Sequence, residues 1–226
     1  MKYVSVLLAV GCLLSTVSAQ WLETTIDLDP GSGPTFTCYN TQNNKVYCAN
    51  WSVNNVAVID GATNDVLTTV TVGSRPFALC YNPVNNRVYC ADYQGNNVTV
   101  IDGETNGVIG TVSAGTQPRA LCCNSLNNKV YCANNLGSSV TVIDGATNSV
   151  VATVPVGAGP YALCHNPVNN KVYCANSLGA SVTVIGGATD SVVATVTTGA
   201  NPCALCYNPQ NNKVYCGNGG VCCRSS

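Results

Sequence analysis

The chain has 226 residues, of which 8 % are charged, and its formal net charge is −1 at pH 7. A surface with so little charge and no basic excess does not attract nucleic acid or an anionic membrane, so we expect neither partner. The chain contains 15 cysteines, and its redox compartment therefore decides much of its chemistry.

The N-terminus has the pattern of a secretory signal peptide. The positively charged Lys2 precedes an apolar run from Tyr3 to Leu14, and a small-residue cleavage pattern ends at Ala19. The apolar run is shorter than the ~20 residues that a membrane-spanning helix needs, so we expect cleavage and no membrane span in the mature chain. The sequence therefore predicts a signal peptide over residues 1–19 and a mature protein that is secreted, periplasmic or displayed at the cell surface.

A repeat of 42 residues organises the rest of the chain. Its core is the segment LCYNPVNNRVYCAD, Leu79–Asp92, whose two cysteines recur in every copy. Full copies occupy residues 33–72, 73–114, 115–156 and 157–198, and a partial copy occupies 199–226. A fixed period of this size, with several short β-rich segments in each copy, is typical of β-propellers. We predict a single propeller domain over residues 20–226.

Each copy contains four short segments with the β-branched content and alternation of strands. In the second copy they are Phe77–Asn82, Arg87–Asp92, Val98–Asp102 and Val108–Ser113. Short connections make successive strands pair antiparallel, which gives a four-stranded meander with two apolar faces. Radial packing of such sheets buries both faces, so the predicted fold is an all-β propeller of four-stranded blades.

The two ends of the chain predict how the propeller closes. Thr24–Asp29 aligns with the fourth strand of a repeat, whereas the last copy supplies only a first and a second strand, the latter over Lys213–Asn218. We expect these ends to pair in one composite blade. The sequence therefore predicts five four-stranded blades, the last of them composite.

The repeat resembles a known family. The segments NNKVYCAN (127–134) and SVTVIDGATNSVVATVPVGAGP (139–160) are similar to the YVTN β-propeller repeat, with Cys in place of its second Val. The resemblance implies an innermost strand through Leu79, an outermost strand through Val108, and a secreted or surface protein of bacteria or archaea. The family typically has seven blades, and GNGGVCCRSS (217–226) replaces the expected third and fourth strands here. Completion of the ring by a second chain and truncation of a longer chain are both left open.

Every predicted hairpin between the first and second strands holds one cysteine in each strand. Directly opposite residues of adjacent antiparallel strands have Cβ atoms ~4.5–5.5 Å apart, slightly more than a disulfide prefers. Two interpretations stay open: a disulfide in each hairpin, or small buried hydrophobic residues. A metal site is not expected, because each blade offers only one loose pair of ligands. The candidate disulfides are Cys38–Cys48, Cys80–Cys90, Cys122–Cys132, Cys164–Cys174 and Cys206–Cys216.

Four cysteines of the mature chain lie outside these hairpin pairs: Cys123, Cys203, Cys222 and Cys223. Pairing of Cys203 with one of the last two and pairing of the terminal cysteines between chains are the two interpretations.

Groups for acid–base catalysis are nearly absent from the repeats. The one histidine, His165, stands where other copies have Tyr or Cys, which favours a role as a strand residue. Asp60, Asp102 and Asp144 each precede a glycine, as in turns. One basic residue per repeat, such as Lys45, adjoins a hairpin turn, and we expect it on a solvated face. We predict no catalytic residue, no cofactor and no enzyme activity; a lactonase-like hydrolase is the weaker alternative.

Two loops vary between copies that otherwise keep one frame. One enters the first strand and the other joins the second and third strands, and in an up-and-down meander both emerge at the same end of the blade. Their aromatic and arginine residues are of types enriched at interaction sites; the alternative is that loops merely tolerate change. The candidate binding residues are Trp51, Phe77, Tyr93, Arg119 and Tyr161.

These observations favour a binding or scaffold module that recognises a protein or glycan ligand. The alternative of a different class is a structural protein that self-associates, because an incomplete last blade would offer an unpaired strand edge.

Overall fold

The computed structural model describes residues 25–219, and these residues form eighteen β-strands and no helix. Four sheets have four antiparallel strands in sequence order, and we number them blades 1 to 4; a fifth sheet has two strands. No helix within this part of the chain has the length and apolar character that crossing a membrane requires.

The strands of the first two blades are β1 (Pro34–Asn40), β2 (Lys45–Asn50), β3 (Asn55–Asp60) and β4 (Val66–Thr71), then β5 (Pro76–Asn82), β6 (Arg87–Asp92), β7 (Asn97–Asp102) and β8 (Val108–Ser113). The strands of blades 3 and 4 are β9 (Pro118–Asn124), β10 (Lys129–Asn134), β11 (Ser139–Asp144) and β12 (Ser149–Pro155), then β13 (Pro160–Asn166), β14 (Lys171–Asn176), β15 (Ser181–Gly186) and β16 (Ser191–Thr197). The fifth sheet consists of β17 (Pro202–Asn208) and β18 (Lys213–Asn218).

The turns follow from the residues that the sequence places between strands. Asn86 adopts φ of 52° in the turn between β5 and β6, a left-handed conformation that asparagine tolerates better than most residues. Between β7 and β8 the carboxylate of Asp102 accepts hydrogen bonds from the backbone N–H groups of Glu104 and Thr105. The turn role predicted for the repeated aspartates is therefore confirmed, as are the four strands predicted for the second repeat, to within one residue at each end.

The blades pack face to face, with their first strands side by side. β1, β5, β9, β13 and β17 contact one another in succession. Between blades 1 and 2, Tyr47 and Val58 pack against Leu79 and Cys90 in one buried cluster, and equivalent clusters lie at the next two interfaces. The fourth strand of each blade is outermost, and Val108 in β8 is 46 % exposed. This arrangement confirms the predicted all-β, propeller-type fold and the order of strands from inside to outside.

Asparagine side chains link each blade to the next at the ends of the inner strands. The buried Asn82 donates from Nδ2 to Oδ1 of Asn128, 2.8 Å away in the following blade, and its own Oδ1 accepts the backbone N–H of Val84. The same contact recurs at every blade junction within residues 25–219, through the pairs Asn40–Asn86, Asn124–Asn170 and Asn166–Asn212.

The basic residues beside the hairpin turns also join neighbouring blades, so the expectation that they lie on a solvated face is wrong for three of them. Lys45 Nζ donates to the carbonyls of Gly103 and Glu104, both 3.1 Å away in blade 2. Arg87 donates to the carbonyl of Gly145 in blade 3 at 2.7 Å. Lys129 forms an ion pair with Asp190 in blade 4. The outer turns of blades 2, 3 and 4 are thus each contacted by a cation from the preceding blade, through backbone carbonyls in blades 2 and 3 and through a carboxylate in blade 4.

The predicted composite blade is wrong. Residues 25–33 lie in no strand, and the sheet of β17 and β18 has only those two strands. Instead, Ile26 and Leu28 pack against the apolar face of blade 1 that points away from blade 2. Burial of apolar surface contributes about 25 cal/mol per Å², and in this position Ile26 and Leu28 cover the side chains of Val46, Cys48, Ala57 and Ile59. Thr24, the predicted signal peptide, Cys222 and Cys223 lie outside the described residues.

The five predicted hairpin disulfides are also wrong, because of the strand register. Cys80 lies opposite Tyr89 and Leu79 lies opposite Cys90, so the two sulfurs point to opposite faces of the sheet. All ten of these cysteines are free thiols. The alternative interpretation holds for four of the second-strand cysteines, Cys48, Cys90, Cys132 and Cys174, which are buried, whereas Cys216 is only half-buried. Burial raises the pKa of Cys48 to about 11.

Candidate binding surface

A β-bulge at the start of every inner strand turns one side chain out of the regular ladder. In β5, Pro76 pairs with Asp92 and Ala78 pairs with Ala91, which leaves Phe77 without a partner across the strand pair. A bulge of this kind bends the strand and redirects the extra side chain. The bulged residues of the five inner strands are Thr35, Phe77, Arg119, Tyr161 and Cys203.

The two variable loops of each repeat are hydrogen-bonded to each other at this end of the blade. The backbone N–H of Trp51 donates to the carbonyl of Gly33 at 3.0 Å, and that of Tyr93 donates to the carbonyl of Arg75 at 3.0 Å. The prediction that both loops emerge at the same end is therefore confirmed. The turns with Lys45 and Asp102 lie at the opposite end of the strands.

All five candidate binding residues lie in one continuous set of ring contacts, together with Arg75. We call these six residues the aromatic–arginine cluster. Trp51, Phe77 and Tyr93 contact one another with ring centroids 5.4 to 5.8 Å apart and interplanar angles of 40° to 75°. Such tilted and edge-to-face pairs are the favourable geometry for aromatic rings. The hydroxyl of Tyr93 also donates to Oε1 of Gln117.

The two arginines extend the cluster on both sides of the rings. The guanidinium carbon of Arg75 is 5.1 Å from the centroid of the Trp51 ring. That of Arg119 is 4.6 Å from the Phe77 ring and 3.9 Å from the Tyr161 ring, so it lies between rings from blades 2 and 4. Cation–π contacts of this kind contribute about 0.5–2 kcal/mol each. The cluster therefore has side chains from four successive repeats held in defined positions.

Arg75 is the member that was not selected from the sequence. Its backbone has φ of 56°, where the first and fourth repeats have Gly33 and Gly159 with φ of 61° and 66°. The left-handed backbone conformation is roughly 1–2 kcal/mol less favourable for a residue with a Cβ atom than for glycine. The signal was available, because a non-glycine residue at a position of glycine conformation is a known marker of functional constraint.

Neither arginine of the cluster has an acidic partner within residues 25–219. The ion pair in this part of the chain joins Lys129 and Asp190. The Nε atom of Arg119 is buried and has no hydrogen-bond acceptor. An unsatisfied buried polar group costs about 1–3 kcal/mol. Arg75 is exposed and Arg119 is half-buried, and neither guanidinium donates a hydrogen bond within residues 25–219, so their terminal N–H groups are left for an external acceptor.

One buried carboxylate lies beneath the variable loops. Asp92 takes the place of Asn50, Asn134 and Asn176 in the other blades and is fully buried. Burial raises the pKa of Asp92 to about 6, although hydrogen bonds from Thr99 and Cys90 lower it. The group does not reach the surface, and it belongs to the support of the loop that carries Tyr93.

The histidine lies apart from the cluster. His165 is the sixth residue of β13, at the end of the strand opposite to Tyr161, and its Nε2 atom is buried without a partner. Burial lowers the pKa of His165 below its ordinary value. Within the described residues no group of three or more His, Cys, Asp and Glu side chains is arranged to hold a metal ion.

Comparison with known proteins gives a likeness of fold. No protein-family model matches the chain, and no curated protein matches it. Among solved structures, the chain is similar to hydrazine synthase of Kuenenia stuttgartiensis, with a TM-score of 0.76, 20 % identity, and coverage of 86 % of this chain and 58 % of that chain. The chain thus spans little more than half the length of that neighbour. At this identity the likeness shows the fold alone, and it agrees with the repeated four-stranded sheets in assigning a β-propeller-type architecture.

Proposed function

We propose that the protein is a binding module, secreted or displayed at the cell surface and built from YVTN-type repeats, that recognises an acidic glycan through the aromatic–arginine cluster. The observation that carries the proposal is the continuity of the cluster: side chains chosen from separate repeats are in contact through ring stacking across four blades.

The chemistry of the cluster favours this class of ligand. Aromatic faces pack against the apolar C–H face of a sugar ring, and a guanidinium forms charge-assisted, bidentate hydrogen bonds with a carboxylate. Stable protein interfaces use roughly 20–30 residues from each partner, whereas the cluster has six. A uronic-acid polymer would supply both the ring and the carboxylate, at intervals along one flexible chain.

Binding rather than catalysis is proposed because of the side chains that the cluster contains. It has no histidine, carboxylate, serine or cysteine, which are the usual general acids, bases and nucleophiles of hydrolases. His165 lies at the far end of its strand. A lactonase-like activity would need groups that the cluster does not provide.

The test is affinity electrophoresis through gels that contain polygalacturonate or, as an uncharged control, dextran. We expect wild-type protein to be retarded by polygalacturonate more strongly than by dextran, and the triple variant Trp51→Ala, Phe77→Ala, Tyr161→Ala to lose that retardation. Equal mobility of wild type in both gels would overturn the acidic-glycan proposal. Retention of a protein partner by wild type with no glycan effect would do the same.

A matched triple variant separates binding from stability. Val84, Leu126 and Val168 are 53 %, 58 % and 68 % exposed at the opposite end of the blades. Replacement of these three by alanine also truncates three exposed apolar side chains, one in each of three blades, without touching the cluster. Retardation by polygalacturonate should be unchanged in this variant, and both variants should unfold within a few degrees of wild type.

A second candidate function, self-association as a structural protein, is supported by one face of the described sheets. Val196 in β16 is 53 % exposed, whereas its equivalents Val112 and Val154 are 5 % and 3 % exposed. Within residues 25–219 the edge of β18 also has no pairing strand. A second copy of the chain, which carries the same blade-to-blade contact pattern, is the occupant that fits. Light scattering across a concentration series tests it: a mass that grows with concentration supports it, and a constant monomer mass excludes it.

A further inference from the structure

The cysteines of the inner strands point across the interfaces between blades. Cys38 in β1 packs in the same buried cluster as Tyr81 of β5. Two and three blades further on, the thiols of Cys122 and Cys164 contact the backbone amides of His165 and Tyr207. Each first-strand cysteine thus faces the residue that follows the equivalent cysteine of the next inner strand.

At one interface that following residue is itself a cysteine. Cys123 of β9 stands where β5, β13 and β17 have Tyr81, His165 and Tyr207. The thiols of Cys80 and Cys123 are close enough across the interface between blades 2 and 3 to share a hydrogen bond, and Cys80 Sγ also donates to the carbonyl of Tyr81 at 3.8 Å. Both residues are half-buried, and Cys80 is the more deeply placed of the two.

We propose that Cys80 and Cys123 are a redox-active dithiol that closes into a disulfide between blades 2 and 3 on reaction with a low-molecular-weight disulfide. The two cysteines lie on facing sides of adjacent inner strands. Cys80 and Cys90 do not, because they lie on opposite faces of one hairpin. Cys122, next to Cys123 in β9, points to the opposite face of its sheet and is not available to Cys80.

The hydrogen bond divides the roles of the two sulfurs. It lowers the pKa of Cys123, because the donated proton stabilises the thiolate, and with burial it raises the pKa of Cys80. Cys123 is therefore the attacking group, since the thiolate is the nucleophile in thiol–disulfide exchange.

The exchange proceeds in two steps. The Cys123 thiolate attacks one sulfur of the small disulfide, forming a mixed disulfide and releasing one small thiolate. Cys80 then loses its proton to solvent and attacks the sulfur of Cys123, which displaces the second small thiolate. Two protein thiols are oxidised by two electrons, and one small disulfide is reduced to two thiols.

The new bond would fix the spacing between the strands that carry Phe77 and Arg119, three and four residues before the two cysteines. A disulfide between residues 80 and 123 closes a loop of several tens of residues and is expected to raise the melting temperature by roughly 5–15 °C. Oxidation would therefore make blades 2 and 3 more rigid beneath the centre of the aromatic–arginine cluster.

The experiment uses the full chain, reduced, freed of reductant and then exposed to oxidised glutathione. We expect two thiols to be lost per molecule, a Cys80–Cys123 linkage in the peptide mass spectrum, and a melting temperature that rises and returns on reduction. Cys123→Tyr, which restores the residue of neighbouring repeats, should form no intramolecular linkage at Cys80 and show no rise in melting temperature. Cys122→Ala is the matched control and should behave as wild type.

Two results would overturn the proposal. One is a stable glutathione adduct on Cys123 with Cys80 still reduced, which would mean that the sulfurs cannot meet. The other is a linkage of Cys80 or Cys123 to another cysteine. Because thiol loss in wild type is measured independently of any variant, a folding defect of Cys123→Tyr leaves the test decisive.

Discussion

The guanidinium carbon of Arg119 lies 3.9 Å from the centre of the Tyr161 ring, and the two residues occupy equivalent bulges of adjacent inner strands. Stacking leaves the in-plane N–H groups of the guanidinium free to bind a carboxylate. Arg119→Ala should therefore weaken binding to polygalacturonate fragments by roughly 10- to 100-fold, the loss expected for charged hydrogen bonds. Isothermal titration calorimetry measures the change.

Arg119→Lys separates charge from geometry. It keeps the charge but lacks the planar, stacking group, so we expect it to recover only part of the affinity. Lys171→Ala is the control, since it removes a cation at the opposite end of blade 4 and should bind as wild type does. Equal affinity of Arg119→Ala and wild type would remove Arg119 from the site.

Arg75→Gly should weaken binding with little effect on stability. The substitution removes the guanidinium that lies over Trp51 and relieves a left-handed backbone. Relief of roughly 1–2 kcal/mol is offset by the greater chain entropy of glycine, roughly 0.5–1 kcal/mol, and by the lost cation–π contact, about 0.5–1 kcal/mol at an exposed site, so the free energy of unfolding should change by less than about 1 kcal/mol. Urea denaturation and calorimetry measure the two effects.

Asn201→Gly provides the comparison for Arg75→Gly. Asn201 has φ of 54° at the same position of the fifth sheet, outside the cluster. This variant should keep the affinity of wild type and change the free energy of unfolding by less than about 1 kcal/mol, because asparagine tolerates the left-handed conformation better than most residues. A loss of affinity in this variant would mean that glycine at this position, rather than the missing guanidinium, weakens binding.

Asp92→Asn should stabilise the protein at neutral pH. In blade 1 the equivalent Asn50 donates from Nδ2 to Oδ1 of Asn55 at 2.8 Å, whereas Oδ1 of Asn97 is buried without a donor beside Asp92. An amide at position 92 supplies that donor and removes a buried charge. We expect a gain of up to roughly 3 kcal/mol at pH 7, which corresponds to the rise of the pKa from 3.8 to about 6.

The pH dependence of the free energy of unfolding tests the buried position of Asp92. Its folded pKa is raised, so the folded state binds the proton more tightly than the unfolded state does. The stability of wild type should therefore fall as the pH rises from about 4 to about 6 and then stay level with respect to this group. The advantage of Asp92→Asn should shrink towards pH 4; an advantage that does not depend on pH would contradict the assignment.

Asn82→Ala should destabilise the junction between blades 2 and 3. It leaves Oδ1 of Asn128 and the N–H of Val84 without their partner. Each unsatisfied buried group costs about 1–3 kcal/mol of folding free energy. Asn208→Ala is the matched control, because Asn208 keeps only the local bond to Gln210 among the described residues. Thermal unfolding should show a clear decrease for Asn82→Ala and a small one for Asn208→Ala.

Much of the fold could be predicted from the sequence, because a constant period and β-branched runs determine where strands begin and end. The relation between Cys80 and Tyr89 could not, since shifting the register by one residue exchanges the two faces of a strand and the turn sequence alone does not fix that shift. The position of Ile26 and Leu28 was likewise decided by tertiary burial rather than by their alignment with a fourth strand.

Part of the candidate site could be predicted from the sequence, and part depends on the folded backbone. Comparison of the loops between copies was enough to select Trp51 and Tyr161, but the contact of Arg75 with Trp51 depends on a backbone angle. The lysines and arginine of the hairpin turns were assigned to solvent because a sequence does not show that the next blade presents its carbonyls to them.

The bulge that begins each inner strand has a consequence for how such a protein can change its specificity. Because the extra residue takes no part in strand pairing, its side chain can be exchanged without altering the registration of the sheet around it. One amino acid per repeat, from Thr35 through Arg119 to Cys203, then varies on a constant backbone frame. New ligands could be accommodated by exchange of these side chains, with neighbouring bulges in contact, such as Arg119 and Tyr161, changing together.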